Sequence, residues 1–102
     1  MFRLLLLGAS LLLLSAVSGQ AQSFNCRYAK LPAEIAICDY PGLADLDIKM
    51  AERYYRIPPH AKAYERRLQA QWLARRNRCG YNEGCIESAY RTRILYLREY
   101  YY

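Results

Sequence analysis

The sequence has a single histidine, His60, and a single tryptophan, Trp72. It has no glycine-rich phosphate loop, no metalloprotease motif and no calcium loop. A histidine-based triad would have to use His60, which directly follows Pro58 and Pro59 and reads as an exposed residue at a helix start. Among the carboxylates, Asp45 and Asp47 do not share a helix face, and Glu83 and Glu87 do but read as solvated. Strand-length alternation of apolar and polar residues is also missing, as are Asn-Gly and Asp-Gly turns and internal repeats. These gaps point to a non-enzymatic all-α chain with no cofactor and no metal site.

The one long apolar run is at the N-terminus, where Arg3 precedes Leu4 to Leu14 and the sequence then decays into small and polar residues. That is the pattern of a secretory signal peptide. As a helix, Leu4 to Val17 would reach only about 21 Å, short of a bilayer core of about 30 Å. Cleavage after Ser18 would use Ala16 and Ser18 as the small residues and cleavage after Ala21 would use Gly19 and Ala21; the second is favoured, so residues 1–21 are expected as a leader and 22–102 as one domain in the periplasm or secreted. No transmembrane segment is expected in the processed chain. Loss of Arg3 lowers the formal net charge from +6 to about +5.

Four cysteines behind an export signal read as two disulfides in a chain too short for a large core. The wide spacing of Cys26 from Cys38 and of Cys79 from Cys85 does not resemble paired C-x2-C zinc ligands. Pairing Cys26 with Cys38 and Cys79 with Cys85 joins the ends of locally closed elements and is the favoured connectivity. Crossed pairing, such as Cys26 with Cys79, would close a longer loop, and chain entropy does not choose between the two.

Punctuation by proline and glycine sets out three to four helices. Pro32 opens a short helix with Glu34 near its positive end, and Pro41 stops it. From Pro41 or Gly42 to about Ile57, Leu43, Leu46, Met50, Tyr54 and Ile57 form an apolar stripe, with Asp39 as the expected cap. Pro58 and Pro59 end that helix, and Pro59 starts the next, which carries Tyr64, Leu68 and Trp72 toward Cys79. Gly80 is expected to leave it in a left-handed conformation, and Asn82 to cap a last helix with Ile86, Tyr90, Ile94, Leu97 and Tyr101 on one face. The last two helices are expected to form an antiparallel hairpin whose corner the Cys79–Cys85 bond closes.

Two compositional excesses remain. Arg66, Arg67, Arg75, Arg76 and Arg78 crowd one helix, either as a solvated face or as a patch for anionic envelope polymers; export argues against nucleic acid. Eleven tyrosines are more than a small core can hold, so some must be exposed.

The motifs FNC, PAEIAIC, PGLADLDIKMAERY, QAQWLARRNRCG and GCIESAYRTRILYL, in this order, resemble the LprI-like domain, a small exported all-helical family named after a mycobacterial lysozyme inhibitor. The resemblance runs from Phe24 to about Leu97. It implies disulfides at Cys26, Cys38, Cys79 and Cys85, and an internal polar network of Glu34, Asp47, Gln71, Arg76 and Arg93, in which Arg76 and Arg93 would bind Asp47 or Glu34. Trp72 and Tyr90 would be structural core. It further implies binding to a cell-wall hydrolase or another envelope protein. From charge and expected exposure rather than from any family motif, an acidic patch over Asp39, Asp45, Asp47 and Glu52 would meet a basic enzyme rim, and Tyr40, Tyr81 or His60 would enter its cleft. The alternative is a basic structural or polyanion-binding envelope protein acting through Arg66, Arg67 and Arg75.

Overall fold

The computed structural model describes residues 23–100. The expected leader, its cleavage position, and Tyr101 and Tyr102 lie outside the described residues. A 3-10 turn at Cys26–Tyr28 precedes four helices, α1 (Pro32–Asp39), α2 (Pro41–Tyr55), α3 (Pro59–Arg78) and α4 (Glu83–Leu97), and a second 3-10 turn at Arg98–Tyr100 follows them. No strand occurs among the described residues.

The boundaries follow from local chemistry. Pro32, Pro41 and Pro59 each stand in the first turn, where a missing N–H costs no helical hydrogen bond. Pro41 therefore both stops α1 and starts α2, and a single extended residue, Tyr40 (φ −104°, ψ 110°), makes the break. At the entry to α1, Glu34 Oε1 accepts the backbone N–H groups of Lys30 and Leu31, at 3.2 and 3.3 Å. Gly80 leaves α3 with φ +62°, as an L-side chain rarely does, and Asn82 Oδ1 caps α4 by accepting from the Cys85 N–H at 3.0 Å. Asp39 is not the cap of α2, because α2 has no side-chain cap.

Ala33, Ala36 and Ile37 of α1, Leu43, Leu46 and Met50 of α2, Ile57, Trp72 of α3, and Ile86, Tyr90 and Leu97 of α4 form the core. Helix α4 packs most extensively on α2 and also on α3, while α1 touches all three. Along α3 and α4, residues earlier on one meet residues later on the other: Glu65 with Tyr100, Gln69 with Arg93, Trp72 with Ala89. Since the larger partner of α4 is α2, these two helices are not a free-standing pair. Trp72, 3 % exposed, packs edge-on to Tyr90 at 5.0 Å and donates its indole N–H to the Ala89 carbonyl at 3.0 Å.

The stripe expected on α3 is displaced. Tyr64 is 56 % exposed and Leu68 only half-buried, whereas Glu65, Gln69, Trp72 and Arg76 face inward. Steps of four residues overshoot a 3.6-residue turn, so Tyr64 and Trp72 lie about 80° apart around the axis. The inward set alternates steps of four and three.

Both disulfides are local, Cys26–Cys38 and Cys79–Cys85, and no free cysteine remains among the described residues. No helix among the described residues is long and apolar enough to cross a membrane.

Candidate functional site

Asp47 of α2 is fully buried and accepts three hydrogen bonds. They come from the Tyr90 hydroxyl at 2.7 Å and from the Ser23 N–H and hydroxyl at 2.6 and 2.8 Å. The same Tyr90 oxygen accepts from Arg76 Nη1 at 3.1 Å, and the remaining Arg76 donors meet Asn77 Oδ1. Opposite charges on α2 and α3 are thus linked through one phenol of α4, which gives each buried ion a polar partner. Burial first, and then the Asp47 charge, push the Tyr90 phenol far above its ordinary range.

A second polar node lies further along the seam between α3 and α4. Arg93 donates from Nε to Gln69 Oε1 at 2.8 Å, and its Nη2 stands 4.0 Å from Glu65 Oε1. Tyr96 and Tyr100 both donate to Glu65 Oε2, at 2.8 and 2.7 Å. Burial pulls the Arg93 guanidinium below its ordinary range, and Glu65 opposes that shift.

Of the expected network, Asp47, Arg76 and Arg93 are internal, and Tyr90 links the first two. Gln71 is not: it is exposed, and Gln69 does the work expected of it, because only position 69 shares the inward phase of Trp72 and Arg76. Glu34 is half-buried and caps α1 instead of binding an arginine. Arg93 lies by Glu65 rather than by Asp47 or Glu34, and Arg76 reaches Asp47 only through Tyr90. Glu65 belongs to the same inward phase, four residues before Gln69, although its neighbours Arg66 and Arg67 make the segment read as solvated.

At the other end of the fold, Tyr40 and Tyr81 come together. Their ring centroids are 5.8 Å apart, and the Tyr81 hydroxyl donates to Asp39 Oδ2 at 2.8 Å. Tyr81 lies inside the Cys79–Cys85 loop and remains 50 % exposed, while Tyr40 follows Cys38 by two residues and is half-buried. The two disulfide-closed elements therefore meet in one aromatic corner. The hydrogen bond to Asp39 is the main reason that the Tyr81 phenol is pushed up to about 12. His60 is exposed at the start of α3.

Of the expected acidic patch, Asp47 is buried and drops out, whereas Asp39, which accepts from Tyr81, and Asp45 and Glu52 of α2 are exposed. Arg66, Arg67, Arg75 and Arg78 are exposed on α3, with Arg67 over the Tyr64 ring at 5.8 Å, whereas Arg76 is internal. Among the described residues, no three His, Cys, Asp or Glu side chains gather as a metal site would require. No family model, curated protein or solved structure matches this chain.

Proposed function

We propose that this chain is an exported, non-enzymatic protein-binding domain of the cell envelope, akin to a lysozyme inhibitor, and that it binds through the Tyr40–Tyr81 corner. The observation that carries the reading is the Tyr40–Tyr81 pair, tilted at 52° where two disulfide-closed elements meet, with Tyr81 tied down by Asp39. Tyrosine combines a large contact area with a polar tip, and a side chain already held in place loses less entropy on binding. Two disulfides fit an oxidising compartment, as the leader-like N-terminus does. The LprI-like resemblance supplies the partner class, a cell-wall hydrolase. Titration against lysozymes of several classes tests the reading: saturable loss of lysis near one equivalent is expected, and no inhibition of any class overturns the hydrolase assignment.

The exposed run of Arg66, Arg67, Arg75 and Arg78 favours a second reading, binding to anionic envelope polymers. That mode weakens steeply with salt, since the Debye length is about 8 Å at physiological ionic strength. Affinity for anionic envelope material that survives high salt, or that survives neutralising Arg66, Arg67 and Arg75, would discard it.

A further inference from the structure

From a groove between α2 and α3 we infer a binding site for a single-chain acyl carboxylate. Helices α2 and α3 are consecutive, yet each packs mainly on α1 or α4 rather than on the other. The opening between them has a volume of about 450 Å³, within the range of small-ligand sites of roughly 300–1,000 Å³. Its apolar lining comes from Phe24, Met50, Ala51, Ala70 and Leu73. The groove follows α3 from Arg66 to Asn77, about 17 Å at 1.5 Å per residue, the reach of an extended chain of roughly a dozen carbons.

The polar groups on its wall select the head group. Glu34 accepts from the Lys30 and Leu31 amides, Gln69 bonds Met50 and Arg93, Arg76 bonds Tyr90 and Asn77, and Ser23 bonds Asp47. Arg66 is the charged lining residue with no ion pair or hydrogen bond among the described residues, and it stands exposed as the first residue of the α3 wall. A guanidinium there suits one carboxylate, which it can hold by two parallel N–H···O bonds. The excess positive charge of the chain favours an anion in the same place. A peptide in extended form would need a series of backbone partners, and the engaged wall offers few. An anionic head at Arg66 with its tail laid over Met50 and Leu73 toward Phe24 matches the free guanidinium and the apolar wall, and the Tyr54 and Tyr55 rings complete the lining.

The test is calorimetric titration of the processed, delipidated chain with dodecanoate below its micelle-forming concentration, with dodecanol as the neutral control. One equivalent should bind, dodecanol should bind more weakly, and Arg66→Gln should weaken dodecanoate by about tenfold. Ala70 lines the groove from an exposed position, so Ala70→Trp should fill it and abolish binding with the helical spectrum and melting intact. In the unaltered chain, the Met50 methyl resonance should shift on saturation, which locates the tail independently of any variant. Equal binding of dodecanol together with an unaffected Arg66→Gln variant would overturn the assignment. So would absence of saturable binding, a Met50 signal that does not move, or a chain dimer that Ala70→Trp breaks, which would make a second copy the occupant.

Discussion

Tyr81 donates its phenolic hydrogen to Asp39 Oδ2 across 2.8 Å, and this bond ties the loop closed by Cys79–Cys85 to the element closed by Cys26–Cys38. A corner made this way is sensitive to alkali. The Tyr81 phenol is raised from 10.0 to about 12 by its bond to Asp39, and the Tyr96 and Tyr100 phenols are raised to about 12, Tyr96 chiefly by burial and Tyr100 chiefly by its bond to Glu65. Because the folded values lie above the unfolded one, the stabilisation from these bonds is fully present below pH 10. It is lost as pH rises through 12. Phenolate absorbance should show a late-titrating class near pH 12, reduced in Tyr81→Phe; a single class near 10 would mean that the bonds do not persist in solution.

The Tyr90 hydroxyl joins Asp47 to Arg76 in the interior. Tyr90→Phe keeps the ring against Trp72 but leaves each ion with fewer partners, and should cost about 1–3 kcal/mol by chemical denaturation. A stability change of under half of 1 kcal/mol would show that Ser23 and Asn77 suffice.

Trp72→Ala removes a nearly buried ring at the seam of α3 and α4 and should cost about 3–5 kcal/mol, a large part of the stability of a domain this size. The native Trp72 emission should be that of a shielded indole, moving to the red on unfolding.

Gln69 and Gln71 give a paired comparison. Gln69→Ala strips Arg93 of its 2.8 Å acceptor and should cost about 1–3 kcal/mol, whereas Gln71→Ala changes an exposed side chain and should stay within about 0.5 kcal/mol. The reverse order in urea midpoints would contradict the helical phase described for α3.

Helix limits were legible because they rest on residues that act on their own backbone. Pro32, Pro41, Pro59, Gly80 and Asn82 each do locally what their chemistry requires. The interior polar seam was legible only in part. Asp47, Arg76 and Arg93 are expected in one network with Glu34 and Gln71, whereas the fold divides them between two nodes, and Glu65 beside Arg93 is held by Tyr96 and Tyr100, 31 and 35 residues away in sequence. The choice of Gln69 over Gln71 was available from the spacing of Trp72 and Arg76, had alternating steps of four and three been followed instead of uniform fours. Tyr40 and Tyr81 were singled out separately; their contact joins elements about 40 residues apart and depends on how α1 and α4 meet.

The most direct test of the proposed binding corner is site-specific photocrosslinking in envelope extract, with the photoreactive residue placed at Tyr81, at Tyr40 or at Arg67, and the products read by mass spectrometry. One protein partner, a cell-wall hydrolase, is expected to crosslink from positions 81 and 40 and not from 67. Crosslinks confined to position 67, with anionic polymer recovered and no protein partner at the corner, would contradict it.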